Sequence, residues 1–290
     1  MPPKPNTLRS LRAAAEYSLG EGPHPERARL DAETLLLHLL QRGNTSRDKA
    51  WLLSHQSQTV MPRFKAEFES FVARRRTGEP IQYITGTTEF YGLPFQVSPG
   101  VLIPRPETEH LVEEVIRLAA QFPAPHIADI GTGSGAIAVA LAHSLPNAKF
   151  TATDLSPQAL NIARRNAESN ALHIEFLKGD LLAPLAGRRF DMIASNPPYI
   201  PEADSASLSI EVRDHEPATA LFAGADGLAI YRRLIPEAIP VLNPNAFLVM
   251  EIGFGQQPEI TAILEQFRYQ DIRFLPDYQG IPRVAIARRP

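Results

Sequence analysis

Two consecutive prolines, Pro197 and Pro198, follow the apolar run Phe190-Asp191-Met192-Ile193-Ala194-Ser195 and constrain this chain more than any other feature. The run reads as a short buried β-strand. A proline has no N–H for a ladder and holds φ near about −65°. The residue before it is pushed into the extended region. The strand therefore stops at Asn196, whose side-chain amide is held in a stiff, non-helical turn at the strand's carboxyl end. Ligands of open α/β sheets bind at that edge. The Asn196 and Pro197 carbonyls fall outside a regular ladder, and the ring of Tyr199 stands alongside. Such a corner suits a flat NH2 group. The two carbonyls and the Asn196 side-chain oxygen accept its N–H bonds, and the ring stacks on its plane. Taken alone, Asn-Pro-Pro-Tyr fits an ordinary strand-ending loop equally well.

The surroundings of that corner are a βα alternation. From residue 126 onward, strands are predicted at His126–Ile130, Lys149–Thr153, Ile174–Lys178, Phe190–Ser195, Ala246–Ile252, Ile272–Leu275 and Arg283–Ala287. Helices are predicted at Ala136–His143, Pro157–Asn170, Leu228–Ile239 and Pro258–Phe267. This pattern predicts a doubly wound parallel sheet of Rossmann-like type. The last two strands are close enough to form an antiparallel hairpin, unlike the end of a dinucleotide-binding sheet.

Residues 1–78 read as a helical bundle. Thr7 is an N-cap before Leu8, Leu11 and Ala15, and Pro25 starts a helix carrying Leu30, Leu35, Leu36, Leu39 and Leu40. Gly43 and Asn44 mark the turn after it, Trp51 and Leu52 belong to a short helix, and Pro62 opens a fourth with Phe64, Phe68, Phe71 and Val72 on one face. Arg74-Arg75-Arg76 at its end complement the helix dipole. Residues 79–104 carry three extended runs, Gln82–Ile84, Glu89–Tyr91 and Phe95–Val97, with turns at Gly86, Gly92 and Pro94, and read as a β-hairpin linker. Residues 105–290 form the large domain, in which Pro106 serves as the first residue of a helix bearing Leu111, Val112, Val115, Ile116 and Ala119.

Asp129-Ile130-Gly131-Thr132-Gly133-Ser134-Gly135 lies between the first strand of that domain and a helix. Its glycines allow a tight turn and the approach of a ligand to the backbone. The pattern is G-x-G-x-G, not the G-x-G-x-x-G of the dinucleotide fingerprint. Asp154 ends the second strand and is placed to accept both hydroxyls of a ribose, which suits NAD and S-adenosylmethionine (SAM) equally. Asp180 ends the third strand, placed to accept from an adenine amino group with Leu181 packed on the base. The fourth strand delivers Asn196. Four successive strand ends thus carry a glycine loop, two acids and a rigid amide clamp, a combination similar to that of SAM-dependent methyltransferases acting on planar nitrogens.

Composition narrows the rest. The 290 residues contain no cysteine, which removes disulfides and thiolate chemistry, and the eight histidines include no His-x-x-x-His pair, so no metal site is expected. The first residues have no signal-like apolar core and no stretch reaches the length of a membrane span, so a cytoplasmic protein is expected. Residues 1–80 carry 13 Lys and Arg against 9 Asp and Glu, a net of +4, and the remainder carries −7 of the total −3. That balance is unlike a dedicated duplex-DNA binder.

Further motifs make the resemblance closer. Glu79-Pro80-Ile81-Gln82-Tyr83-Ile84-Thr85-Gly86, Glu89-Phe90-Tyr91-Gly92, Ile103-Pro104-Arg105-Pro106-Glu107-Thr108-Glu109, Phe222–Leu228 and Glu251-Ile252-Gly253 join Asp129–Gly135, Asp154 and Ser195–Tyr199. Together they resemble the HemK/PrmC family, methyltransferases of the glutamine in the Gly-Gly-Gln motif of peptide-chain release factors, over roughly residues 8–288. The resemblance implies a seven-stranded methyltransferase fold and transfer of methyl from SAM to the glutamine N5, leaving S-adenosylhomocysteine. It implies catalysis by Asn196, Pro197 and Tyr199, and substrate binding by these with Pro198. It also implies cofactor contacts from Asp129, Gly131, Thr132, Gly133, Ser134, Gly135, Asp154, Asp180, Leu181 and Asn196. Leu181 stands where relatives carry an aromatic on the adenine face. The implied partner is a release factor, met by a monomer through the bundle of residues 1–78 with the 79–104 hairpin, with no stable nucleic-acid or membrane binding. The rival readings are an rRNA guanine-N2 or DNA adenine-N6 methyltransferase and a nicotinamide oxidoreductase. The last needs a third glycine where the chain has Ala136.

Overall fold

The computed structural model describes residues 6–42 and 46–290, so the turn assigned to Gly43 and Asn44 lies outside the described residues. The chain forms two compact units, one of Met1–Gly86 with Ser209–His215, the other of Thr87–Leu208 with Glu216–Pro290.

The first unit is helical. α1 (Leu8–Gly20) opens on a capping box, in which the Thr7 hydroxyl accepts from the Ser10 N–H and the Ser10 hydroxyl accepts from the Thr7 N–H. A 3₁₀ turn at Pro25–Arg27 precedes α2 (Ala28–Gln41); then come α3 (Lys49–Ser54), α4 (Pro62–Arg76) and α5 (Ile81–Thr85). Leu8, Leu11, Leu35, Leu36, Phe68, Phe71, Ile81 and Ile84 share one core.

Two expectations are corrected here. Gln82–Ile84 is helical, not extended: Ile81 and Ile84, three apart, turn one face into the helical core, and Gly86 in the left-handed region (φ 77°) ends the turn. Arg75 is not a surface complement to a helix dipole. Its side chain is buried, its Nε donates to Asp31 Oδ2 at 2.6 Å and its Nη1 to the Glu79 carbonyl at 3.0 Å, and it pairs with Glu211 of the short helix Ile210–His215. The sequence distance to Glu211 hides this pair.

The second unit begins with the hairpin β1 (Thr87–Phe90) and β2 (Leu93–Gln96), turned by Tyr91 and Gly92, both at positive φ. After the 3₁₀ turn Pro106–Thr108 come α6 (Glu109–Ala119), β3 (His126–Ile130), α7 (Ala136–Ser144), β4 (Lys149–Asp154), α8 (Pro157–Ser169), β5 (Glu175–Lys178) and β6 (Phe190–Ser195). β7 (Leu242–Glu251), β8 (Gln270–Pro276) and β9 (Pro282–Arg288) complete a seven-stranded sheet of order β5-β4-β3-β6-β7-β9-β8. β5 to β7 run parallel, and β9 is antiparallel to both β7 and β8. Period-two alternation splits β6 between two cores. Met192 and Ala194 pack with α6 and α7, while Ile193 packs with the helix Ala229–Ala238. Among the described residues no helix is long and apolar enough to cross a membrane. The chain runs outward from β3 through β4 to β5, then returns to β6 on the other side of β3. That reversal opens a crevice beyond the carboxyl ends of β3 and β6.

Candidate functional site

A cavity of about 380 Å³ occupies this crevice. Its wall includes Gly131, Thr132, Gly133 and Ser134 after β3, Asp154 after β4, Asp180 and Leu181 after β5, and Asn196, Pro197 and Pro198 after β6. The four strand ends singled out from the sequence therefore meet at one place.

The glycine loop is built by backbone bonds. The Gly131 and Thr132 N–H groups both donate to the Thr153 carbonyl at 2.9 Å, folding the loop back over β4. At Gly135, φ is 83° and a Cβ would stand 3.0 Å from that of Ala163, so glycine lets the loop lie against α8. Buried Ser134 accepts on its carbonyl from Asn166 Nδ2 at 2.8 Å, and the same Asn166 side chain exchanges two hydrogen bonds with the backbone of Gln96. Asn166 thereby ties β2 to the loop, a role with no sequence signal beyond a polar residue on the apolar face of a helix.

Asp129 lies beneath the loop, 2% exposed. Its Oδ2 accepts from Thr132 Oγ1 at 2.6 Å and from the Ala138 N–H at 3.2 Å, while Oδ1 is buried without a hydrogen-bond partner among the described residues. Burial pushes this carboxyl up to about 7, against the pull of those two donors. Asp129 is not itself on the cavity wall, which its chain neighbours Ile130 and Gly131 reach. Asp154 Oδ2 accepts from the Gly133 N–H and Oδ1 from the Ser156 N–H, each at 2.8 Å, which fixes the carboxylate at the cavity wall with lone pairs left over.

Asp180 and Tyr199 sit differently from expectation, while Leu181 keeps its place on the wall. Asp180 lines the cavity, yet its side chain is about half exposed and Oδ2 accepts from Arg233 Nη2 at 2.7 Å. Leu181 lines the same wall in the left-handed region, φ 45°, and its carbonyl accepts from Thr153 Oγ1. Tyr199 is absent from the wall. Its hydroxyl donates to Glu251 Oε1 at 3.3 Å, and its ring is close enough to Gly253 that a Cβ there would stand 3.1 Å away. The ring backs the corner, against Glu251 and Gly253, rather than lining the cavity.

Asn196 itself is half-buried. Its Nδ2 donates to Thr108 Oγ1 at 3.1 Å. Its carbonyl and that of Pro197 accept no hydrogen bond among the described residues. Thr108 donates to Glu251 Oε2 at 2.6 Å, and Tyr231 donates to the Glu251 carbonyl at 2.7 Å. Gln256 locks the same turn, donating to the Tyr199 carbonyl at 2.9 Å and accepting from the Gly253 N–H. Arg105 also lines the cavity and is held by the buried Glu216, with Nη2 at 2.6 and 2.7 Å from its two carboxylate oxygens. Thr108, Glu251 and Arg105 stood in the motifs of the resemblance without roles; the bonds Thr108–Asn196, Arg105–Glu216 and Thr108–Glu251 span 88, 111 and 143 residues, beyond the reach of spacing arguments.

Comparison with known proteins fits this geometry. The methyltransferase small domain model matches residues 108–212 and the PrmC N-terminal domain model residues 11–86. The release factor glutamine methyltransferase of Koribacter versatilis is 43% identical over 286 residues, 98% of this chain and 96% of its own. That of Geobacter sulfurreducens is 43% identical over 263 residues, covering 91% of this chain and 90% of its own. Among solved structures, the Thermus thermophilus 16S rRNA N2 G1207 methyltransferase with AdoMet and guanosine matches at TM-score 0.53 and 19% identity, covering 70% of this chain and 50% of that one. The hMettl16 catalytic domain with a MAT2A hairpin matches at 0.55 and 17%, covering 78% and 81%. At those identities the two structures support the fold alone. With full-length relatives at this identity, and with the glycine loop, Asp154, Asp180 and the Asn196-Pro197-Pro198 corner lining one crevice, the chain belongs to the release factor glutamine methyltransferase family.

Proposed function

We propose that the protein transfers a methyl group from SAM to the side-chain amide nitrogen, N5, of the glutamine in the Gly-Gly-Gln motif of peptide-chain release factors. The observation that carries the reading is the corner at Asn196. A side-chain amide and two backbone carbonyls without donors converge at the cavity that also holds the glycine loop.

SAM supplies an activated methyl on a sulfonium. The residues present fit it. Asp154, fixed by the Gly133 and Ser156 N–H groups, keeps lone pairs for ribose hydroxyls. Asp129, with one buried oxygen lacking a donor, suits the ammonium of the methionine part. Gly131, Thr132, Gly133 and Ser134 line the cavity and would meet the ligand, while Gly135 closes the loop through its N–H on the Thr132 carbonyl. Asp180 and Leu181 suit the adenine edge and face, with Arg233 competing for Asp180.

An amide nitrogen is a poor nucleophile because its lone pair is delocalised into the carbonyl. Asn196 Oδ1 and the Pro197 carbonyl would accept the two N–H bonds off the amide plane, favouring a pyramidal nitrogen whose lone pair points at the methyl. These acceptors are stiffened by Pro197 and Pro198 and need no reorganisation as the C–N bond forms and the C–S bond breaks. Holding the two reactants in line contributes about 7–11 kcal/mol. The methylated nitrogen carries a positive charge and readily gives its extra proton to solvent, so no histidine or lysine base is assigned. Tyr199 acts from behind, anchoring the corner through Glu251. Docking of the substrate protein is assigned to the helical first unit and the hairpin after it.

Mass spectrometry of a release factor incubated with enzyme and SAM tests the reading; one added methyl on the Gly-Gly-Gln glutamine is expected. Methylation of RNA or DNA amino groups instead would overturn it. The nucleic-acid reading is not favoured, since the full-length relatives carry the release-factor name.

A further inference from the structure

The Asn196 side chain has two ends of almost equal size, an oxygen and an NH2. Packing cannot choose between them; only hydrogen-bond polarity can. Behind Asn196 stands Thr108, 4% exposed, and behind Thr108 stands Glu251, 2% exposed. A hydroxyl has one proton. Thr108 spends it on Glu251 Oε2 at 2.6 Å, so toward Asn196 its oxygen offers only lone pairs. Asn196 answers with Nδ2 at 3.1 Å, and Oδ1 becomes the end left for the cavity. The other Glu251 oxygen takes the Tyr199 hydroxyl, and the Glu251 backbone carbonyl takes that of Tyr231.

From this line of bonds we infer that Thr108 and Glu251 are positioning residues for methyl transfer, setting the Asn196 carboxamide with its oxygen toward the substrate amide. The inference rests on the proposed role of Asn196 as acceptor of the glutamine NH2. With the carboxamide reversed, the Asn196 oxygen would face the Thr108 oxygen. Thr108 would have to take its proton back from Glu251, leaving a buried carboxylate short of a donor, and an NH2 would confront the substrate's NH2.

The arrangement holds only while Glu251 is ionised. Burial raises its carboxyl to about 7, the hydroxyls of Thr108 and Tyr199 pull it down, Glu107 raises it and Arg283 lowers it. A protonated Glu251 donates to Thr108, and the Thr108 proton is then free to bind Asn196 Oδ1 in competition with substrate. Turnover should therefore rise with pH through about 7.

The test is steady-state methylation of a release factor by wild type, Thr108→Val, Thr108→Ser and Glu251→Gln, with SAM affinity from calorimetry. Losing a hydrogen bond to a charged group corresponds to about 10- to 100-fold. Thr108→Val should lose that much kcat, with the KM for release factor and the SAM Kd within about 3-fold by this argument. Thr108→Ser should restore kcat. Glu251→Gln, whose amide serves Thr108 with either end, should have low kcat without the rise through about pH 7. Wild-type kcat in Thr108→Val, failure of serine to rescue, or an unchanged pH limb in Glu251→Gln would overturn the inference. Should Thr108→Val not fold, the pH limb of the near-isosteric Glu251→Gln decides. A wild-type enzyme that methylates no release factor would instead overturn the proposed function, so the two failures are distinct.

Discussion

Gly227→Ala tests whether the Asn196 corner depends on a turn that lies far from it in sequence. Gly227 has φ 73°, and a Cβ there would stand 2.2 Å from the Tyr199 carbonyl oxygen and 3.0 Å from its carbon. Ordinary contact begins near 3.4 Å, so something must give by about 1.2 Å. The Tyr199 carbonyl is poorly free to move, being held by Gln256 Nε2 at 2.9 Å while Gln256 is itself fixed by the Gly253 N–H. The left-handed conformation costs a non-glycine residue about 1–2 kcal/mol, and overpacking about 1–3 kcal/mol. The variant should thus be less stable by about 2–5 kcal/mol, a fall in Tm of roughly 4–20 °C at ~2–4 °C per kcal/mol. A displacement of about 1 Å at a positioning group costs on the order of 100-fold in rate, so kcat should fall by that order. SAM affinity should hold, because the glycine loop is carried by β3 and not by this turn. Gly224→Ala is the control: φ is 77°, but its Cβ would meet nothing closer than Ala229 Cβ at 3.4 Å. It should show the backbone strain without the rate loss. Thermal unfolding and turnover of both variants give the answer. Wild-type Tm and kcat in Gly227→Ala, or equal losses in both variants, would refute the reasoning.

Asn196→Ala should reduce turnover by at least about 100-fold, the scale of removing a transition-state hydrogen bond, while the calorimetric SAM affinity changes little; near-normal kcat would remove Asn196 from the mechanism. Asp154→Ala should weaken SAM binding by about 10-fold or more, the loss of charged hydrogen bonds to ribose, and unchanged affinity would show the ribose assignment wrong. For Asp129 the folded carboxyl is raised from 3.8 to about 7, so the fold favours the neutral form. Its ionisation penalty is absent below about pH 4, grows as pH rises, and is complete above about 7, on the order of 4 kcal/mol. A cation bound at Oδ1 relieves that penalty, so the thermal stabilisation by SAM should be larger at about pH 8 than at about pH 6. Equal stabilisation at both would place the ammonium elsewhere.

Backbone features were legible because they are local. Pro197 and Pro198 end β6 by their own covalent geometry, the glycines of the loop permit the turn after β3, and Thr7, Pro62 and the apolar periodicities mark helices without reference to distant residues. Pro94, read as a turn, pairs with Glu89 inside β2, and Gln82–Ile84 is misread for a related reason. A five-residue segment carries too little period to separate strand from helix, and its place in the helical core settled the matter.

Side-chain partners were a different kind of fact. That Arg75 is buried on Asp31 and Glu211, that Arg233 holds Asp180, and that Thr108 stands between Asn196 and Glu251 follow from which helices and strands become neighbours. β6 and β7 lie adjacent in the sheet although their ends are separated by more than fifty residues, and that adjacency sets Glu251 behind the Asn196 turn. Sequence by itself determined a proline-stiffened amide at a strand end and a glycine loop at another, since both are matters of local dihedral freedom. Which way that amide faces, and what holds it there, was decided only when the tertiary fold brought a threonine and a buried carboxylate to its back, because hydrogen-bond polarity is a property of partners and not of a residue alone.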